Sequence, residues 1–194
     1  MAIKDEDGSI MKKSISVLLI MVMTLLCMVP VAAATSGESY AGNQLRILGI
    51  LRGYEDGSLK LDQSIVRAEV AALTVRILGY EDTEVEGDGR EFTDVDGAYW
   101  ASDVIQKAYK LEVIKGYPDL SFKPLGNITY AEVVAIMVGA LGEQEDLVGE
   151  WPYNYINKGK DLGIIPADSD EDPSKVITRG EMSVIVWDTL LVKQ

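Results

Sequence analysis

Two stretches of this chain align without a gap. "GYEDGSLKLDQSIVRAEVAALTVRILG" runs from Gly53 to Gly79, and "GYPDLSFKPLGNITYAEVVAIMVGALG" runs from Gly116 to Gly142, a step of 63 residues. A third, looser copy follows. Trp100-Ala101 matches Trp151-Pro152, Ile105 matches Ile156 and Leu111 matches Leu162. After a loop shorter by two residues, Ile128, Thr129, Ala131 and Glu132 meet Ile177, Thr178, Gly180 and Glu181. A unit repeated at this period is one supersecondary element that buries its apolar face only against its neighbours.

Each copy reads as helix, loop, helix. In the second copy Ala101, Val104, Ile105, Ala108 and Leu111 form a helical stripe. Copy three places Tyr155, Ile156, Gly159 and Leu162 likewise. The loop "GYPDLSFKPLGN" is rich in turn residues. The second helix opens at a Thr-x-x-Glu capping box, buries Val133, Ile136, Met137, Ala140 and Leu141, and stops at Gly142. The expectation is an all-α domain of three helix-loop-helix repeats, packed as a pseudo-three-fold bundle with protruding loops. A linear solenoid is disfavoured, because no copy looks like a polar cap.

The boundaries follow from composition. Residues 1–34 read as a secretory signal peptide: Lys12-Lys13, an apolar run from Ile15 to Val29, then Ala32-Ala33-Ala34. The acidic stretch before Met11 does not suit a signal n-region, so Met11 reads as the better start. An uncleaved membrane anchor is the alternative, since the run just reaches bilayer length. Repeat 1, shortened at its start, occupies 35–79. An acidic linker spans 80–91, repeat 2 spans 92–142, and 143–194 holds a short acidic linker and repeat 3.

Chemistry is restricted by what is missing. The chain has no histidine, and its one cysteine, Cys27, lies in the leader. The usual general base, zinc ligands and hydrolase triads are therefore not on offer. The net charge of −13 repels nucleic acid. The "DSDED" run at 168–172 spaces carboxylates like a calcium loop, but Pro173 and Arg179 fall where glycine and glutamate belong. No metal or cofactor is expected.

The quoted residues carry a resemblance. Phe92, Asp94, Val95, Trp100, Ala101, Gly116, Tyr117, Asp119, Phe122, Pro124, Ile128, Thr129, Ala131 and Glu132 resemble the S-layer homology (SLH) repeat. That resemblance implies a non-catalytic anchor on the bacterial cell surface. Its inter-repeat grooves would bind an anionic, pyruvylated-type secondary cell-wall polysaccharide. No nucleic acid is implied, and no membrane once the leader is removed. An interaction module for other cell-envelope proteins is the alternative, and a wall-glycan enzyme a weaker one.

The candidate ligand residues are Arg67, Arg179, Gly53, Tyr54, Gly116, Tyr117 and Tyr130. Arg67 and Arg179 fall at the first helical position, where the dipole disfavours a cation. Free N–H groups there, with an arginine fork, would suit a carboxylate; the plainer reading is an arginine paired with a neighbouring acid. Tyr130 takes the arginine's place in copy two and reads as an exposed helix residue rather than a sugar stacker. Trp100 and Trp151 serve as sugar platforms or as core anchors, with the core favoured. Tyr54 and Tyr117 line a groove or cap the core. Asp56 and Asp119 suit turns.

Overall fold

The computed structural model describes residues 34–193. The leader and the Met11 start lie outside the described residues, apart from Ala34. Six helices follow: α1 (Ser36–Ile47), α2 (Arg67–Ile77), α3 (Ser102–Lys110), α4 (Tyr130–Ala140), α5 (Tyr153–Leu162) and α6 (Arg179–Leu191). Among the described residues there are isolated β-bridges and no strands, so the all-α expectation holds. None of these helices is long and apolar enough to cross a membrane.

Local chemistry accounts for the helix starts. Thr129 and Thr178 accept the Glu132 and Glu181 amides at 3.4 and 3.1 Å, and each glutamate reaches back to its threonine amide. At α2 the cap residue is Val66, which has no hydroxyl. Only the return half of the box forms, from the Val66 amide to Glu69 at 3.2 Å. Gly79 and Gly142 follow the C-caps with φ of 78° and 75°, the left-handed conformation that lets the chain leave the helix.

Copy one also has a first helix. α1 begins at a capping box, Thr35 to Glu38, that the repeat alignment does not announce. Repeat 1 is thus a helix-loop-helix unit like the other two.

The two helices of a repeat do not pack on each other. Instead α3 packs on α2, α5 on α4, and α1 on α6. Each first helix therefore covers the second helix of the preceding copy, and the last copy closes on the first. Helices α2, α4 and α6 form the middle, with α4 touching both others. Their buried residues go most of the way round, as in Tyr130, Ala131, Val133, Val134, Ile136, Met137 and Val138 of α4.

The loops close the ring at the helix starts. Ile65 donates its amide to the Ile177 carbonyl (3.3 Å), Ile128 to Ile65 (3.4 Å) and Ile177 to Ile128 (3.1 Å). All three side chains are fully buried. The next amides along each helix start are taken in the opposite rotation, by the copy on the other side. Arg67 and Ala68 donate to Gly126 and Pro124, Tyr130 and Ala131 to Lys175 and Pro173, and Arg179 and Gly180 to Gln63 and Leu61.

Candidate functional site

Those last bonds correct the expectation of free helix-end amides. The N–H groups at the starts of α2, α4 and α6 are spent on the loop of a neighbouring copy, so none waits for an anion. The arginine side chains are spent too. Arg179 donates from Nε to the Leu59 carbonyl (2.8 Å), from Nη1 to Glu69 (2.7 Å) and from Nη2 to the Arg52 carbonyl (3.0 Å). Arg67 repeats this one copy on, with the Phe122 carbonyl (3.0 Å), Glu132 (3.0 Å) and the Lys115 carbonyl (3.4 Å). Their exposures are only 2% and 5%. Each arginine clamps the loop and the capping-box glutamate of the following copy. The dipole penalty is small, ~0.3–1 kcal/mol, beside these charge-assisted bonds.

Copy two departs at both ends of this arrangement. Tyr130 is buried, not an exposed helix residue, because the first helical position faces the neighbouring loop in every copy. Its hydroxyl lies 3.1 Å from Ser169 Oγ. The cation missing at Tyr130 is supplied by Lys175, whose Nζ meets Glu181 at 2.7 Å and Glu171 at 2.9 Å. Every capping-box glutamate of α2, α4 and α6 thus has a cation: Arg179 for Glu69, Arg67 for Glu132, Lys175 for Glu181.

Tyr54 and Tyr117 stand over these clamps. The Arg179 and Lys60 charges lie 5.0 and 4.0 Å from the Tyr54 ring centre; Arg67 and Lys123 lie 4.9 and 4.1 Å from that of Tyr117. The Tyr117 hydroxyl reaches Glu132 at 3.3 Å. Burial pushes both phenols up, with the neighbouring arginine opposing it. Gly116 permits a close approach: a Cβ there would collide with the Phe92 ring and the Ser121 carbonyl. Asp56 and Asp119 close their turns by accepting the amides and hydroxyls of Ser58 and Ser121, which holds both carboxyls below the usual range.

Three grooves result. One holds Arg179, Gly53, Tyr54, Glu69 and Trp100; the second holds Arg67, Tyr117, Glu132 and Trp151; the third holds Tyr130, Glu181 and Lys175. Their volumes are about 280, 490 and 500 Å³, close to the range of small-ligand sites. Trp100 and Trp151 are 60% and 54% exposed, which corrects their placement in the core. The apolar layer there is built by Ala101, Ile105 and Ile156, leaving the indoles at the groove edges.

A family model described as the S-layer homology domain matches residues 91–134 and 145–183. The chain belongs to the S-layer homology family. It is 37% identical over 150 residues to a middle cell wall protein of Brevibacillus brevis, covering 77% of this chain and 14% of that protein. It is 39% identical over 122 residues to a surface layer protein of Brevibacillus choshinensis, 62% of this chain and 11% of that one. It is 34% identical over 122 residues to a cellulosome-anchoring protein of Acetivibrio thermocellus, 55% of this chain and 26% of that one. The chain therefore spans a small part of these relatives. Those relatives are a cell wall protein, a surface layer protein and an anchoring protein.

The SLH arginine is thus a buried clamp in this chain. Residues that the sequence reading passed over line the same grooves. Arg52 and Arg76 are in the Arg179 groove, and Lys115 is in the Arg67 groove. A signal existed: the 63-residue step sets Arg52 on Lys115, although it sets Arg76 on Gly139.

The clamp geometry predicts that Arg179→Ala unfolds early. It strands a part-buried glutamate and two carbonyls, at about 3 kcal/mol. The thermal midpoint should drop by roughly 6–12 °C; an unchanged midpoint in calorimetry would contradict the clamp.

The third pair predicts a pH effect. Burial raises the Glu181 carboxyl, but the Lys175 and Thr178 hydrogen bonds outweigh burial and hold it below its ordinary value. The same pairing raises the Lys175 ammonium. A depressed carboxyl stabilises the fold above its unfolded pKa, and that stability is lost as pH falls through the folded pKa. Lys175→Met should lower the urea midpoint at pH 7, and the gap from wild type should close below about pH 4. A gap that persists undiminished at pH 3 would rule the pairing out.

Proposed function

We propose that this chain docks non-covalently on an anionic secondary cell-wall polysaccharide, of the pyruvylated kind, and holds its protein at the bacterial surface after secretion. One observation carries this reading. In two separate grooves the same three groups meet: a clamped arginine, a tyrosine under two cations, and an exposed tryptophan. An indole left more than half exposed at a repeated position returns nothing to the core. It offers a flat apolar face to a sugar ring, and the cations beside it suit a carboxylate in an otherwise acidic chain. Gly53 and Gly116 let the loops that carry Tyr54 and Tyr117 fold tightly, since a Cβ would press on the Ser58 carbonyl in one and the Phe92 ring and Ser121 carbonyl in the other.

The experiment is sedimentation of the purified protein with peptidoglycan sacculi, with and without their attached polymers. Sedimentation should require the polymer. The Trp100→Ala/Trp151→Ala double variant should need about tenfold more polymer for half-saturation, the ~1.4 kcal/mol of one well-placed aromatic contact. Sedimentation that ignores the polymer would overturn the reading and favour a contact with another envelope protein.

A further inference from the structure

The three grooves are built on one plan but carry different charge. Seven residues after each capping-box glutamate, two helical turns along, the helices present Arg76, Gly139 and Asp188. Each of the three lines its own groove. At the loop position before the Gly-Tyr turn stand Arg52, Lys115 and Pro166, again one per groove. The equivalence is fixed by the backbone, since Ile50 and Leu51 donate to Leu45 as Val113 and Ile114 donate to Ala108 and Ile164 and Ile165 to Gly159. The same register sets Trp100 and Trp151 against Gly37, and Tyr54 and Tyr117 against Asp168.

The sums diverge accordingly. The Arg179 groove has three arginines against one glutamate. The Arg67 groove has two cations against three carboxylates. The Tyr130 groove has one lysine against six carboxylates and no tryptophan.

Donor availability points the same way. Every guanidinium nitrogen of Arg179 already has a protein partner. Arg52 and Arg76 are different. Glu81 bridges them, meeting Arg52 Nη2 at 2.8 Å and Arg76 Nε at 2.9 Å, and Arg76 Nη1 donates to the Ile50 carbonyl at 3.1 Å. Among the described residues that leaves Nε and Nη1 of Arg52 and Nη2 of Arg76 without a partner. Counting Glu81, the groove still keeps one positive charge in excess. Its two arginines are held close by a shared carboxylate, which places their unused donors at one end of the groove.

Building on the wall-anchoring reading, we propose that the chain has one principal anion site: a saccharide carboxylate is received by Arg52 and Arg76 in the Arg179 groove, beside Trp100. The Arg67 groove is a weak second site, and the Tyr130 groove takes no anion. Valence toward the wall is then set by the Arg76, Gly139 and Asp188 position rather than by the motif arginines.

The test compares Arg52→Ala, Lys115→Ala and Asp188→Asn in sedimentation with polymer-bearing sacculi at one fixed salt concentration. Arg52 is a surface side chain, 64% exposed, so its loss leaves the fold intact, as circular dichroism should show. Arg52→Ala should raise the half-saturating amount of polymer about tenfold, Lys115→Ala less than about threefold, and Asp188→Asn should leave it unchanged. Equal losses for Arg52→Ala and Lys115→Ala, or no loss for Arg52→Ala, would overturn the single-site proposal while polymer-dependent sedimentation of the wild type upholds anchoring. No polymer-dependent sedimentation of the wild type would overturn the anchoring reading itself.

Discussion

Three buried amides, on Ile65, Ile128 and Ile177, pass their hydrogen bonds round a closed ring, each to the carbonyl of the preceding copy and the first to the last. The rest of the domain depends on this ring. A buried amide without a partner costs about 1–3 kcal/mol, so each copy's helix start is held against a neighbouring loop. The next two amides of the helix find carbonyls in the loop of the copy on the other side. The first helical side chain then points into the same loop. That is why arginine or tyrosine stands where the dipole would disfavour a cation.

The grooves are consequences of this closure. A clamp crosses from one copy to the next, so its glutamate, its loop tyrosine and the following tryptophan gather along a seam between copies. Arg67 and Arg179 give the seam its shape and hold Tyr54 and Tyr117 by their charge. The groups proposed to meet a ligand are the more exposed ones around them. Among them the Arg76, Gly139 and Asp188 position differs in every copy, because nothing in the ring constrains it. A single scaffold thus carries three grooves of different charge.

Much of this was legible in the residues. The 63-residue step, the Thr-x-x-Glu boxes and the glycine stops located five of the six helices and the three-copy plan. α1 was implied by the three-copy plan but not located, because "SGESYAGNQLRI" has only Ala41, Gly42 and Leu45 buried, too few for a stripe. The pairing of helices across copies was not legible. Periodicity says which face is buried and not which neighbour covers it. Arginine burial was hidden for a related reason: a charged residue at a helix start looks solvent-facing until the loop that covers it is placed. Trp100 and Trp151 misled in the other direction, since repetition alone suggests packing, and here it marks a repeated surface position.

Native-state hydrogen exchange tests the ring most directly. If the three copies close through one cycle, the amides of Ile65, Ile128 and Ile177 open only when the whole domain unfolds. Their opening free energies should agree with one another and with the global value from denaturant. An Ile65 or Ile177 amide that exchanges through a smaller, local opening while Ile128 stays protected would mean that the copies join in a line, and would contradict the closed ring.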